Sequence, residues 1–177
     1  HTAPIEIREK VAIPQSEYAD RVDELRALPG MEEVLILGTC NRTESYCLSD
    51  RDGKERVIDW VHRRNGIPDG QLSQHIYAHE GEEAARHLVR VASGLDSLVL
   101  GETQILGQLK DAWQQAHDTG SLGKVLDRLF QHTFAAAKTI RTTSGIGEHP
   151  VSVAYTAVVL ARQIFGDLEE QCVVLVG

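Results

Sequence analysis

The apolar run Val34-Leu35-Ile36-Leu37 constrains the fold of this chain more than any other stretch. An uninterrupted apolar run of this length predicts a strand that is buried on both faces. It leads directly into Gly38-Thr39-Cys40-Asn41-Arg42-Thr43-Glu44, which places a thiol, an amide, a guanidinium and a carboxylate within five residues. A strand that ends in reactive and charge-binding groups holds a site on a rigid element. The alternative is an ordinary hairpin turn, because Gly, Asn and Thr are common turn residues.

The first half of the chain predicts short strands connected by helices. Thr2 and Pro4 mark the start of the first helix, and Pro29-Gly30 ends the second one. Such a pattern is typical of an α+β layer, and we expect a ferredoxin-like antiparallel sheet whose first strand precedes His1. The predicted elements are helices over about 4–11, 16–28, 54–65 and 81–92 and strands over 33–39, 43–49 and 75–78.

The second half of the chain predicts a helical segment. Apolar residues recur every three or four positions over 102–117 and again over 122–143, as in packed amphipathic helices. Residues 145–150 form the clearest linker, and a further helix is expected over about 151–165. The apolar residues 171–177 then predict a strand that runs into Gly177. We therefore expect a fragment of a longer protein that stops at the start of a second, Rossmann-like α/β domain.

Composition and charge exclude several classes of protein. Eighteen basic against 26 acidic side chains give a net charge of -8, which argues against a protein that coats nucleic acid non-specifically. A local contact with one nucleic-acid end stays open. No run of 18 apolar residues is present, so we expect no membrane span. Cys40, Cys47 and Cys172 have no CxxC spacing, which fits free thiols in a reducing cytoplasm, and no histidine pair has convincing metal spacing.

Cys40 is the candidate nucleophile of the first cluster. A thiol has a pKa of about 8.5 and needs a nearby cation or base to react at neutral pH. Arg42 is a candidate for lowering that pKa, but we prefer a role in binding a substrate carboxylate through two parallel hydrogen bonds. His87, at the edge of the apolar stripe of its helix, is the best candidate base. A partly buried core histidine is the alternative interpretation of His87.

A second polar cluster follows the helix that carries His87. The stretch from Ser93 to Gln104 has two glycines that bracket a loop rich in hydroxyl, carboxylate and amide groups. Ser97, Glu102, Gln104 and Gln108 offer donors and acceptors that suit a ligand with both an amine and a carboxylate. The alternative is that the polar groups here only cap a turn.

These two clusters together resemble glutamyl-tRNA reductases. The resemblance is carried by the stretch from Gly38 to Glu44 and by Ser93-Gly94-Leu95-Asp96-Ser97-Leu98-Val99-Leu100-Gly101-Glu102-Thr103-Gln104-Ile105-Leu106-Gly107-Gln108. His1-Thr2-Ala3-Pro4, Arg141-Thr142-Thr143 and Val151-Ser152-Val153-Ala154 also match the pattern of that family. The resemblance spans essentially the whole chain.

The resemblance implies a role for each candidate residue. Cys40 would attack the ester of glutamyl-tRNA(Glu), and hydride from NADPH would reduce the resulting thioester to glutamate-1-semialdehyde, a precursor of tetrapyrroles. His87 would match the histidine that assists proton transfer. Gly177 would begin the NADPH-binding turn. The glutamate pocket would be lined by Thr39, Asn41, Arg42, Ser97, Glu102, Thr103, Gln104 and Gln108.

The resemblance also implies the organisation of the whole protein. Residues 1–147 would form the catalytic domain that binds glutamyl-tRNA, and residues 148–177 would begin the NADPH-binding Rossmann-like domain. A homodimer through C-terminal helices outside this chain, a complex with glutamate-1-semialdehyde aminotransferase and a cytoplasmic location would follow. Two alternatives stay open: a cofactor-independent cysteine hydrolase or esterase that uses Cys40 and His87, and a tRNA acceptor-end binding module.

Overall fold

A computed structural model describes residues 3–67, 69–97, 100–146, 153–169, 171, 172 and 174. Within these ranges the chain forms eight α-helices and one two-stranded antiparallel sheet. Two short 3-10 turns at Gln15–Glu17 and Ser73–His75 precede helices or loops. The elements are α1 (Ile5–Val11), α2 (Tyr18–Arg26), β1 (Met31–Gly38), β2 (Thr43–Ser49), α3 (Gly53–Asn65), α4 (Asp69–Leu72), α5 (Gly81–Ala92), α6 (Gln104–Asp118), α7 (Lys124–Ser144) and α8 (Val153–Phe165).

The predicted buried strand is the centre of the fold. Val34, Leu35, Ile36 and Leu37 are each at most 1% exposed, which confirms burial on both faces of β1. Because successive side chains of a strand point to opposite faces, Leu35 and Leu37 pack with α5, α6 and α7, whereas Val34 and Ile36 pack with α2 and Trp60. One strand therefore separates two hydrophobic cores.

The β1–β2 hairpin confirms the two strands predicted around the Cys40 turn. Gly38 pairs with Thr43, Leu37 with Glu44 and Leu35 with Tyr46. This register places Glu44 and Tyr46 on the same face of β2, next to the core formed with α5, α6 and α7. A polar strand residue is thereby directed toward the interior.

A carboxylate from β1 fixes the start of α7. Glu33 is 7% exposed, and its two carboxylate oxygens accept hydrogen bonds from the backbone N–H groups of Val125 and Leu126, at 3.1 and 2.7 Å. A side chain at Gly123 would collide with this cap, because a Cβ there would lie 2.2 Å from Glu33 Oε1. The carboxylate satisfies N–H groups that a helix leaves unpaired at its first turn.

The predicted strand over 75–78 is wrong. Residues 73–75 form a 3-10 turn, and residues 76–80 have no regular secondary structure. In the part of the chain that the structure describes, β2 pairs only with β1, so residues 76–78 have no strand beside them. Extended backbone becomes a strand only when a partner strand completes its hydrogen bonds.

Other expectations near the ends of the chain fall wholly or partly outside the described residues. Thr2, Gly177 and most of the predicted strand over 171–177 lie there, as does the linker after Ile146. The predicted helix over 151–165 is confirmed from Val153 to Phe165. Among the helices that the structure describes, none is long and apolar enough to cross a bilayer.

Candidate active site

The turn between β1 and β2 presents Cys40 to solvent. The hydroxyl Oγ1 of Thr39 accepts hydrogen bonds from the backbone N–H groups of Asn41 and Arg42, at 3.2 and 3.0 Å. The N–H of Thr39 donates in turn to the carbonyl of Arg42, at 2.9 Å. Thr39 therefore closes the turn on itself, and Cys40 is left exposed at its tip. The turn is therefore an ordinary hairpin connection, as the alternative interpretation of the sequence expected. It also holds the Cys40 thiol in a fixed position.

Cys47 is a contrasting thiol only seven residues away. It points into the core that contains Val34 and Ile36, and burial raises its pKa to about 12. A thiol in that environment stays protonated at neutral pH and does not act as a nucleophile. Of these two cysteines, Cys40 is the exposed one.

A residue from α1 braces the Cys40 turn. Arg8 Nη1 donates to the carbonyl of Cys40 at 3.3 Å and to Oδ1 of Asn41 at 3.0 Å. These contacts join residues that are 32 and 33 positions apart in the sequence. Nothing in the local motif indicated Arg8, and the pairing depends on where α1 packs.

Arg42 lies among carboxylates of its own chain. Its Nη1 donates to Oε1 of Glu44 at 2.9 Å and to Oδ2 of Asp96 at 3.0 Å, and its Nη2 donates to the backbone carbonyl of Asp96. The Arg42 side chain is only 6% exposed. A substrate carboxylate at this guanidinium must therefore share it with Asp96 or displace Asp96, so the preferred role for Arg42 remains a prediction.

Glu44 is the hub of the site. Its Oε1 accepts from Arg42 and from the hydroxyl of Tyr77, and its Oε2 accepts from the hydroxyl of Tyr46. Burial alone would raise the pKa of Glu44, but hydrogen bonds from His87, Tyr46 and Tyr77 and the charge of Arg42 outweigh burial and lower that pKa to about 2. Glu44 is consequently a fixed negative charge at every physiological pH.

His87 lies against this carboxylate. Its Nε2 is 3.0 Å from Oε1 of Glu44, and its side chain is 15% exposed. Because ionised Glu44 can only accept, Nε2 must carry a proton, and in the neutral ring Nδ1 is then the acceptor. The rings of Tyr77 and His79 lie beside that of His87, at 5.3 and 4.8 Å between centroids. His87 is thus a partly buried histidine with a satisfied hydrogen bond, which agrees with the alternative interpretation of the sequence. Its other ring nitrogen, Nδ1, is available to accept a proton.

Cys40 and His87 line one cleft of about 800 Å³. All residues of β2 and residues 75–80 contribute to its lining. The structure brings into this cleft five residues that the sequence indicated, namely Thr39, Cys40, Asn41, Arg42 and His87. It adds four that sequence reasoning missed as site residues, namely Glu44, Tyr46, Tyr77 and Asp96.

The second polar cluster forms a closed loop beside the cleft. The N–H of Gly101 donates to the carbonyl of Gly94 at 2.9 Å, and both glycines have positive φ angles, of 83° and 76°. Asp96 of this loop reaches the cleft. The other predicted residues of this cluster do not line the cleft in this structure, namely Ser97, Glu102, Thr103, Gln104 and Gln108.

Arg141 near the end of α7 holds this loop at both ends. Its Nη1 donates to the carbonyls of Ser93 and Glu102, at 3.3 and 3.2 Å, and its Nη2 donates to the carbonyl of Gly101 at 3.1 Å. Three backbone carbonyls at the two ends of the loop therefore bind one guanidinium.

The described residues provide neither a metal site nor a dinucleotide site. No group of three His, Cys, Asp or Glu side chains among them is arranged to hold a metal ion. A dinucleotide site needs a strand, a glycine-rich turn and a helix. The described ranges contain no such unit, and Gly177, the predicted cofactor residue, lies beyond them.

Comparisons with known proteins agree on one family. Residues 1–144 match the family model for the N-terminal domain of glutamyl-tRNA(Glu) reductase. Over 176 residues, 99% of this chain, it is 54% identical to a glutamyl-tRNA reductase of Chromohalobacter salexigens and 49% identical to one of Alkalilimnicola ehrlichii. The chain covers 42% and 40% of those two proteins, so it spans less than half the length of these relatives.

A solved structure gives the same result for the fold. The glutamyl-tRNA reductase from Methanopyrus kandleri superposes with a TM-score of 0.71 at 32% sequence identity, over 93% of this chain and 38% of the other. The matched model covers four fifths of this chain, including both polar clusters. The chain therefore belongs to the glutamyl-tRNA reductase family and comprises its N-terminal domain.

Proposed function

We propose that this chain is the part of a glutamyl-tRNA reductase that captures glutamate from glutamyl-tRNA(Glu) on Cys40. The observation that carries the proposal is that an exposed thiol and a histidine with a free basic nitrogen line the same cleft. The Cys40 thiolate attacks the carbonyl carbon of the glutamyl ester, and a C–S bond forms. The bond from that carbon to the ribose oxygen breaks, and the tRNA leaves as its free hydroxyl.

His87 moves the protons of this step. Its Nδ1 takes the proton of the Cys40 thiol and returns a proton to the ribose oxygen as the tRNA leaves. Glu44 keeps the proton on Nε2, so that Nδ1 is the nitrogen available to the reaction, and it stabilises the imidazolium that forms between the two transfers. Covalent capture exchanges an activated ester for a thioester, which accepts hydride far more readily than a free carboxylate.

Recognition of the glutamyl group uses both polar clusters. The substrate carboxylate binds Arg42 in competition with Asp96, and the ammonium group is drawn to Glu44 and Asp96. Thr39 and Asn41 complete this side of the pocket. The predicted residues Ser97, Glu102, Thr103, Gln104 and Gln108 then contact the glutamyl group through a shift of the loop that Asp96 anchors to Arg42.

The complete reaction needs parts that the described residues do not supply. When bound by the rest of the protein, NADPH would supply the hydride for reducing the thioester to glutamate-1-semialdehyde, in the first step of tetrapyrrole synthesis. Its site would begin at Gly177, in a Rossmann-like domain that starts at residue 148. The catalytic domain comprises residues 1–147. We also propose a homodimer through C-terminal helices, a complex with glutamate-1-semialdehyde aminotransferase and a cytoplasmic location. The ferredoxin-like sheet is part of this proposal, and it requires a strand in addition to the two that the described residues form.

A cysteine hydrolase is the second candidate function. An exposed thiol, a histidine and an ionised carboxylate that orients it are also the three groups of a hydrolytic triad. A hydrolase releases glutamate whether or not NADPH is present. A reductase produces the semialdehyde when NADPH and the rest of the protein are supplied.

The test is capture of labelled glutamate on the protein. We expect glutamyl-tRNA labelled in its glutamate to transfer acid-stable label to the chain, and we expect Cys40→Ser to abolish the transfer. Cys47→Ser is the matched control, and it should retain the label. Equal labelling of the wild type and Cys40→Ser would refute the assignment of Cys40 as the nucleophile.

A further inference from the structure

A second cleft, remote from the Cys40 turn in sequence, lies between α6 and α7. It has a volume of about 490 Å³ and is lined by seven residues. Three of them are the cations Lys110, Lys138 and Arg141, and none is acidic. In a protein with 26 acidic and 18 basic side chains, a concave surface with three positive charges and no negative one departs from the overall balance.

The positive charge of this cleft is not neutralised by the residues that the structure describes. Lys110 and Lys138 are exposed and take part in no ion pair there. Arg141 donates only to neutral backbone carbonyls, so its charge is also uncompensated. Asp127, on the same helix two turns before Phe134, is bonded to Trp113 and Gln131 and does not line the cleft. Three unpaired cations in one concavity favour an anionic ligand.

Part of the lining of this cleft is apolar. Phe134 packs edge-on against Trp113 with 6.2 Å between ring centroids, and Leu106 of α6 lies beside it in the lining. A lining of apolar and cationic side chains suits a nucleotide, whose base offers a π-face for packing and whose phosphate is charged. A small divalent anion alone would leave the apolar side chains of this cleft without a contact.

Arg141 connects the cleft to the substrate loop. Its guanidinium contributes to the lining and also holds the carbonyls of Gly101 and Glu102, next to the predicted glutamate-binding residues. A phosphate bound at Lys110 and Lys138 would therefore lie close to the segment that recognises the glutamyl group. The nucleic-acid part of the substrate is the anion that must approach this segment.

We propose that the cleft between α6 and α7 binds backbone phosphates of the tRNA that carries the glutamyl group. The inference rests on the proposed function, because it takes glutamyl-tRNA as the substrate. Phosphate contacts position a nucleic acid without reading its sequence. The cleft between α6 and α7 thus contributes affinity for the tRNA, while the cleft that contains Cys40 carries out the capture of the glutamyl group.

The test is the salt dependence of tRNA binding in a double variant, Lys110→Gln with Lys138→Gln. We expect its Kd for uncharged tRNA(Glu) to rise about tenfold in low salt, and the slope of log Kd against log salt to fall by about 1.5, the value for two lost phosphate contacts. A tRNA of another identity should show the same loss, because the contacts are independent of sequence.

Lys124→Gln with Arg128→Gln is the matched control. These two exposed cations lie on the same helix, 10 to 14 residues and so roughly 15–21 Å from Lys138, and the charge change is identical. The control should leave Kd within about twofold and keep the slope. An equal loss in both double variants, or an unchanged slope in the cleft variant, would overturn the proposal.

Labelling of Cys40 separates this proposal from the proposed function. At saturating glutamyl-tRNA, the cleft variant should label Cys40 at the wild-type rate, with only the half-saturating concentration raised. If the wild type binds tRNA through the cleft but never labels Cys40, the proposed function fails and the cleft stands. If Cys40 is labelled and the cleft variant binds tRNA like the wild type, the cleft proposal fails alone.

Discussion

Oε1 of Glu44 lies 3.0 Å from Nε2 of His87, across 43 residues of sequence. The carboxylate comes from the inward face of β2, and the imidazole comes from the middle of α5. Because the pKa of Glu44 is held at about 2, the carboxylate is ionised at neutral pH. This pairing fixes both the orientation of the ring and the nitrogen that is free to act as a base.

Replacing Glu44 by Gln should impair capture without abolishing the nucleophile. The amide keeps the shape of the side chain but removes the charge that stabilises the His87 imidazolium, so we expect Cys40 labelling to slow on the order of 100-fold. Glu80→Gln is the control, since Glu80 lines the same cleft but pairs with the exposed Lys54. Similar rates for both variants would show that Glu44 has no part in the reaction.

The same carboxylate makes stability depend on pH. The pKa of Glu44 is about 2 in the folded protein against 4.5 as a free side chain, so its stabilising effect is complete above 4.5 and disappears as the pH falls toward 2. The two values differ by about 2.5, which corresponds to about 3 kcal/mol. Urea unfolding of the wild type and Glu44→Gln should differ most at pH 7, and the difference should shrink steadily between pH 4.5 and pH 2. A difference that stays constant over this range would contradict the assigned pKa.

The elements that follow from local pattern were predictable from sequence. The buried strand at Val34–Leu37 and the helices over 102–117 and 122–143 follow from hydrophobic spacing, which depends on the chain itself. The strand over 75–78 was mispredicted because a strand needs a neighbour, and no local pattern says whether that neighbour is present. The local sequence pattern shows which face of a helix or strand is buried, but it does not show which other elements that helix or strand contacts.

The site was predictable only in part for the same reason. Cys40 and His87 were predicted from motifs, and the structure places both in one cleft. The inward position of Glu44 follows once the alternation of Glu44 and Tyr46 is placed opposite Leu37 and Leu35. The alternation of Glu44 and Tyr46 was therefore the sequence feature from which the inward position of Glu44 could have been predicted. The contact between Arg42 and Asp96 joins residues 54 positions apart and depends on how α5 packs on the hairpin, which spacing does not encode.

Arg8 should act by holding the Cys40 turn. Its two hydrogen bonds are partly exposed, so removing them with Arg8→Ala should cost about 1 kcal/mol and slow Cys40 labelling about fivefold. Arg8→Lys should recover part of the rate because one donor remains in reach. Lys10→Ala, on the same helix, is the control. A rate unchanged by Arg8→Ala would mean that the turn is held without α1.

Glu33 should contribute to stability and not to chemistry. Glu33→Ala removes the acceptor of the N–H groups of Val125 and Leu126, of which the bond to Leu126 is buried, and we expect the free energy of unfolding to fall by about 2 kcal/mol. Glu33→Gln keeps one acceptor and should lose less. Exposed Glu32 is the neighbouring control, and Glu32→Ala should change the unfolding free energy by less than about 0.5 kcal/mol. Chemical denaturation measures all three variants.

Arg141 should determine the order of the loop that carries the second cluster. Lysine at this position can reach one carbonyl but cannot bridge Ser93, Gly101 and Glu102 as the planar guanidinium does. In Arg141→Lys we expect the amide hydrogens of residues 94–97, 100 and 101 to exchange about tenfold faster, which corresponds to about 1.4 kcal/mol of lost local stability. The alkylation rate of Cys40 should stay the same, because Thr39 and Arg8 hold its turn independently. If exchange accelerates equally in α7, the substitution has loosened the helix and not specifically the loop. That result would refute the role of Arg141 in holding the loop.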